Sequence, residues 1–248
     1  MSRCALLWSG GKDSALALDR ARRAGVDVAL LVSFVDAEAE RVRFHATRRA
    51  LLEAQARAAG VEGLVIATSW AAMEAELRAL LRSLHSQGYA GVVLGDIHLA
   101  DVRAWYEDRV RSAGLEHLEP IWGEPPQTLL DEFVARGGRA VVTCIDGDRL
   151  DISWLGRTVD GAFAREIAAT GADPCGENGE YHSFAFAGPA FREPVPWVAG
   201  ERRSDGRFHQ LDLLPADGPI RPGDAGSRAR DRTPPGSPSG PSPGAARR

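Results

Sequence analysis

Lysine and asparagine are nearly missing from this chain. Lysine occurs once in 248 residues, at Lys12, and asparagine once, at Asn178, although lysine is among the commonest residues of soluble proteins. Arginine carries almost all of the positive charge, which points to a composition bias that replaces both residues wherever the physics tolerates it. Cysteine is sparse: Cys4, Cys144 and Cys175 contain no CxxC pair, which excludes a disulfide framework and a zinc ribbon. Cys4 reads as a small buried hydrophobe. No apolar run reaches the length of a transmembrane helix. The opening residues run from Met1 through Trp8 straight into a glycine pair rather than a small-residue cleavage site, so the chain is expected in the cytoplasm with no membrane partner. A formal net charge of −4 gives no global basic field of the kind nucleic acid recruits.

What is present suits a packed core, since 44% of the residues are apolar. Ala5 to Trp8 is a short apolar strand, followed by a helix predicted from about Ser14 to Arg23 and stopped by Gly25. Val28 to Val35 is almost wholly apolar, as a parallel strand buried on both faces should be. Ala50, Leu51, Ala54 and Ala58 share a helix face that ends at Gly60. A third strand over Leu64–Ala67 precedes the stripe Met73, Leu77, Leu80, Leu81 and Leu84, and a fourth strand over Val92–Leu94 ends at Gly95-Asp96. This alternation implies an α/β fold, a parallel sheet with helices on both faces. Ligands of such sheets bind beyond the carboxyl ends of the strands, where Ser9 to Gly11, Ser33 to Val35, Thr68 and Gly95-Asp96 fall. Val102, Tyr106 and Val110 then mark a helix with Asp101 as its N-cap. Leu129, Leu130, Phe133 and Val134 mark another, and Ala140–Ile145 a further strand. Domains are expected at 1–118 and 119–220, the second a smaller α/β unit. Over 221–248, Pro, Gly, Ser and Arg predominate, a composition that cannot bury enough apolar surface to fold, so a disordered tail is expected.

The single lysine lies in Ser9-Gly10-Gly11-Lys12-Asp13-Ser14, between a strand and a helix. Glycines let the backbone approach an anion, and the first N–H groups of the helix have no internal acceptor. The helix dipole favours negative charge there, Lys12 adds a positive charge, and Ser9 and Ser14 offer hydroxyls. The spacing matches neither GxxxxGK[ST] nor GxGxxG, so a phosphate site of another type is expected.

This loop resembles the PP-loop of N-type ATP pyrophosphatases, which share a Rossmann-like five-stranded nucleotide fold. Phe44-His45, Gly95-Asp96-Ile97, Pro120-Ile121-Trp122-Gly123, Leu150 to Arg157 and Cys175 to Ser183 follow in order. Together they are similar to the diphthine–ammonia ligase family, over about residues 3 to 194. The resemblance implies ATP-dependent amidation: a carboxylate is adenylated, pyrophosphate leaves, and ammonia displaces AMP. It implies ATP and ammonia as partners, a carboxylate acceptor of unknown identity, and ATP and Mg²⁺ as cofactors. In that family the acceptor is a modified histidine of elongation factor two. A homodimer is left open.

On this reading Ser9, Gly10, Gly11, Lys12, Asp13, Ser14, Ser33 and Gly95 bind ATP or pyrophosphate. Asp13 and Asp96 support Mg²⁺ and catalysis, with Asp13 also a candidate helix cap. Glu177 and Glu180 bracket Asn178-Gly179, and two close carboxylates would raise each other's pKa and serve as a base for ammonium; a solvated acidic turn is the plainer alternative. The expected acceptor side comprises His45, Trp122, Asp151, Trp154, Gly156, Arg157, Asn178 and His182. Trp154 reads equally well as core, Arg157 as the partner of an acidic neighbour, and His45 as a surface histidine. Two rival functions remain: tRNA thiolation through Cys144 or Cys175, and nucleotide binding without catalysis.

Overall fold

The computed structural model describes residues 2–42 and 47–216; His45 and the segment 221–248 lie outside them. The first sheet contains β1 (Arg3–Leu7), β2 (Asp27–Asp36), β3 (Glu62–Thr68), β4 (Gly91–Val93) and β5 (Glu116–Leu118) in the order β3-β2-β1-β4-β5. All four pairings are parallel. The helices between them are α1 (Lys12–Arg23), α2 (Arg49–Ala59), α3 (Met73–Ser86) and α4 (Ala100–Ser112).

Strand periodicity divides the core in two. Cys4, Leu6, Leu31 and Val93 join α1 and α2 in one apolar cluster. Ala5, Leu30, Val32 and Val92 face the other way, against Leu77, Leu80, Leu81 and Leu84 of α3. This is the two-residue alternation of a strand read against the 3.6-residue stripe of a helix. α1 is buried almost all round, including Lys12, Ser14 and Asp19, because it lies between the first sheet and a second one. At the start of α4 the cap is Leu99, and Asp101 sits inside the first turn. The expected Asp101 cap is therefore corrected, although a carboxylate there still complements the helix dipole.

The second sheet is antiparallel, built from β6 (Arg139–Asp146), β7 (Thr158–Val159), β8 (Tyr181–Ala187), β9 (Trp197–Ser204) and β10 (Phe208–Pro215). α5 (Pro126–Ala135) and α6 (Gly161–Ile167) pack with it, their Leu129, Phe133, Phe163 and Ile167 joining the cluster that holds α1. Ion pairs fasten the halves: Arg48 reaches Asp212 on β10 at 2.6 Å, and Arg20 on α1 engages Glu124 and Glu132. Among the described residues no helix is long and apolar enough to cross a membrane.

Candidate active site

Strand order reverses between β1 and β4: the chain steps outward through β2 and β3 on one side and through β5 on the other. A crevice opens where neighbouring crossovers diverge, at the carboxyl ends of those two strands. The crevice here is a cavity of about 530 Å³. Ser9, Lys12, Asp13 and Ser14 line it from the end of β1, Gly95 and Asp96 from the end of β4, and Glu177 and His182 from the second half of the chain.

The loop after β1 is shaped by two glycines of different kinds. Gly10 has φ +82°, and a Cβ there would sit 2.8 Å from Gln55 Oε1, so both conformation and space demand glycine. Gly95 is not in the positive-φ region, but its Cβ would lie 3.1 Å from the Ser14 nitrogen and 3.3 Å from the Asp13 carbonyl carbon. Backbone cannot swing aside as a side chain can. Gly95→Ala is therefore expected to push the first turn of α1 away from β4, to cost about 1–3 kcal/mol of stability, and to weaken ATP binding; calorimetric melting and ATP titration check both. Ser9 and Ser14 hydroxyls meet at 3.2 Å, and Ser14 Oγ donates to the Gly11 carbonyl at 3.0 Å.

Lys12 is buried, and its ammonium donates to Asp13 Oδ2 at 2.9 Å and to the Cys175 carbonyl, above the Tyr181 ring at 4.8 Å. Burial alone would lower its pKa, but Asp13 and the neighbouring polar groups raise it well above the usual lysine range. Its charge thus ties the loop to the segment before β8.

Four carboxylates border the cavity, Asp13, Asp36, Asp96 and Glu177. Glu177 Oε1 accepts the Ile97 N–H at 3.0 Å. Burial, then the charges of Asp13 and Asp96, push its pKa up to about 7. Burial, then Glu119 and Asp13, push Asp96 up to about 6. Asp96 Oδ2 is buried and has no hydrogen-bond partner among the described residues, a costly state for a carboxylate oxygen. No group of three or more His, Cys, Asp or Glu among the described residues is arranged to hold a metal by itself. Mg²⁺ takes one or two carboxylates and completes its shell with water and substrate phosphates, so Asp13 and Asp96 fit an ion that arrives with a nucleotide.

The expected Glu177–Glu180 pair does not form. A turn closed by Gly179 N–H to the Gly176 carbonyl at 3.0 Å reverses the chain between them. Glu180 does not line the cavity; its Oε1 takes Arg149 at 3.2 Å, the Asp173 N–H at 3.2 Å and Asn178 Nδ2 at 3.4 Å. Asn178 is exposed on the turn. Asp151, Trp154, Gly156 and Arg157 do not line the cavity either. Asp151 caps a short 3-10 turn through the Ser153 N–H at 2.9 Å. Trp154 packs edge-on against Phe163 at 5.2 Å, Gly156 takes φ +85°, and Arg157 stacks on Trp154 and pairs with Glu166 at 2.8 Å. Trp122 lies under Arg103, and the buried Ser33 hydroxyl donates to the Trp8 carbonyl at 2.7 Å. His45 lies outside the described residues.

Sequence reasoning placed Ser33 to Val35 at a ligand-binding strand end but missed most of the apolar wall: Val42, Trp70, Met73 and Tyr106 line the cavity beside Phe34. The strand-end rule carried that signal, because Phe34 lies near the end of β2 and Trp70 follows β3. It also missed a clasp. His98, just after Asp96, bonds Asp173 at 2.8 Å, beside the Ile97–Glu177 contact, and this bond raises the His98 pKa. The attraction is therefore full below the unfolded value and lost as pH rises through the raised one. Amide exchange over residues 173–180, corrected for intrinsic rates, is expected to be faster at about pH 9 than at about pH 6, and His98→Gln to erase the difference.

Family models match both halves of the chain: the diphthamide synthase N-terminal domain over residues 2–117 and the diphthamide synthase C-terminal domain over residues 125–211. The chain belongs to the diphthamide synthase family. With the parallel sheet and the loop, family membership suggests an ATP-dependent enzyme of the PP-loop type. No curated protein matches it. Among solved structures, glycinamide ribonucleotide transformylase 1 from Symbiobacterium toebii aligns at 25% identity over 38% of this chain and 41% of that one, with a TM-score of 0.25. The chain thus spans well under two thirds of that protein, and the likeness carries no argument.

Proposed function

We propose that the chain is an AMP-forming amide ligase that adenylates a carboxylate and transfers ammonia to it. The observation that supports this best is the trio Asp13, Asp96 and Glu177 beside a helix N-terminus, with Glu177 titrating near neutrality at about 7. An acceptor carboxylate oxygen attacks the α-phosphorus of ATP, the α–β bridging bond breaks, and pyrophosphate leaves. The N–H groups at the start of α1 and the serines of the loop favour that anion. Mg²⁺ on Asp13 and Asp96, when bound, neutralises phosphate charge. Glu177 takes a proton from ammonium, nitrogen attacks the acyl carbon, its second surplus proton passes to the departing phosphate, and AMP departs with the acyl oxygen. A base near pKa 7 suits that proton transfer. Residues 2–118 supply the nucleotide side, residues 119–216 the wall that carries Glu177 and His182, and the cytoplasm the ATP and ammonium.

Sulfur transfer has less support. Cys175 reaches the cavity, but its thiol donates to the Pro126 carbonyl at 3.2 Å and burial raises its pKa far above the usual range. Cys144 is pushed up to about 11 by burial. Neither supplies a thiolate near neutral pH. Resolving the nucleotides after incubation with ATP, Mg²⁺, ammonium and a panel of carboxylates should give AMP and pyrophosphate in equal amounts. ADP and phosphate would sink the proposal.

A further inference from the structure

Gln55 lies in the middle of α2, between Ala54 and Ala56, where nothing in the sequence marks it. It is completely buried. Its Nε2 donates to the Gly10 carbonyl at 2.9 Å and to the Ala185 carbonyl at 2.6 Å, and its Oε1 accepts Trp8 Nε1–H at 2.8 Å. Only this amide orientation works, because the reverse would set an oxygen against two carbonyls and an NH₂ against the indole N–H. One buried side chain thus joins the phosphate loop, the cavity-lining Trp8 and strand β8.

The Gly10 carbonyl also accepts the Ala185 N–H at 2.8 Å. In a trans peptide the carbonyl and the next N–H point opposite ways, and the described residues contain no cis bond. Fixing the Gly10 carbonyl against α2 and β8 therefore turns the Gly11 N–H away from them, toward Ser9 Oγ at 3.3 Å. Ser9 is a cavity residue. The Lys12 N–H is held by Ser183 Oγ on the same strand, at 3.3 Å.

We infer that Gln55 is a positioning residue for the phosphate loop, holding the Gly10–Gly11 peptide so that its N–H serves the anion, and that it makes pyrophosphate binding depend on β8. This rests on the reading of the loop as the pyrophosphate site. Without the amide, the peptide can rotate and aim a carbonyl where an N–H stood. Trp8 would also lose its acceptor.

The test uses the full chain, calorimetric titration, and three probes: inorganic pyrophosphate, ATP and adenosine. Gln55→Met keeps the volume and removes both donors. It is expected to weaken pyrophosphate and ATP by about tenfold while adenosine affinity stays within about twofold. Gln55→Glu keeps an acceptor for Trp8 but faces two carbonyls with a carboxylate, and should lose at least as much. Melting curves establish that each variant is folded at the titration temperature. Unchanged pyrophosphate affinity in either folded variant overturns the inference, and so does an equal loss for adenosine, which a merely structural role would give. If the wild-type protein binds adenosine but not pyrophosphate, the reading of the loop falls and takes this inference with it.

Discussion

Glu177→Gln will lower amide formation by about 10²- to 10⁴-fold while acyl adenylate still forms. Gln keeps the oxygen that accepts the Ile97 N–H, so the turn should hold its shape, but it cannot take a proton from ammonium. Wild-type amidation should rise with pH through about 7, the value to which burial and the nearby carboxylates push Glu177, and the variant should lose that limb. The same shift sets a sign for stability. Because the folded pKa lies above the unfolded one, the neutral side chain is the one the fold accepts. Its contribution is complete below the unfolded value and lost as pH rises through about 7. Glu177→Gln is therefore expected to raise the unfolding free energy above pH 7, by on the order of 1–3 kcal/mol, with a higher melting temperature there, and to do little near pH 4. A variant that is slower yet more stable is what a functional group held in an unfavourable environment produces. Stopped assays for amide and for AMP, run across pH beside melting curves, check all three statements.

Asp13→Asn will remove the other centre of charge. It should cut AMP release by about 10²- to 10³-fold, since Asp13 is one of the two carboxylates proposed to support Mg²⁺ at the phosphates. Asn can still accept from Lys12, so loss of fold should be small. The removal has a second consequence. Asp13 is among the charges that raise both Glu177 and Asp96, so in this variant both should titrate lower. Burial remains the larger cause for each, so the shift is partial. The residual rate of Asp13→Asn should rise with pH at a lower midpoint than the wild-type rate. A loss of rate with an unmoved midpoint would mean that Asp13 and Glu177 do not share one site.

The N-terminal half was legible because its signals are local. Val28 to Val35 is apolar on both faces, α3 carries its leucines at helical spacing, and the loop follows β1 directly. β5 escaped notice because Glu116-His117-Leu118 is short and polar, and becomes a strand only by pairing with Gly91–Val93. β9 was equally unreadable, since most of its residues are exposed and β10 alone sets its register. In the site, Asp13, Asp96 and Glu177 were named from motifs that resemble the family's, and they do line one cavity. Glu180 was grouped with Glu177 because they are three residues apart, but the turn at Gly176–Gly179 separates them. Trp154 and Arg157 lie in a conspicuous motif, yet the Phe163 ring and Glu166 of α6 hold them in packing. Gln55, His98 and Asp173 act through partners far along the chain. Of the two rare residues, Lys12 is built into the junction between the sheets, whereas Asn178 stands exposed on the turn.

The claim that a carboxylate attacks the α-phosphorus is tested most directly by isotope transfer. With ATP, ammonium and an acceptor carboxylate labelled with ¹⁸O at both oxygens, the product AMP should carry one ¹⁸O and the pyrophosphate none. Label in inorganic phosphate, or unlabelled AMP formed alongside the amide, would contradict the account.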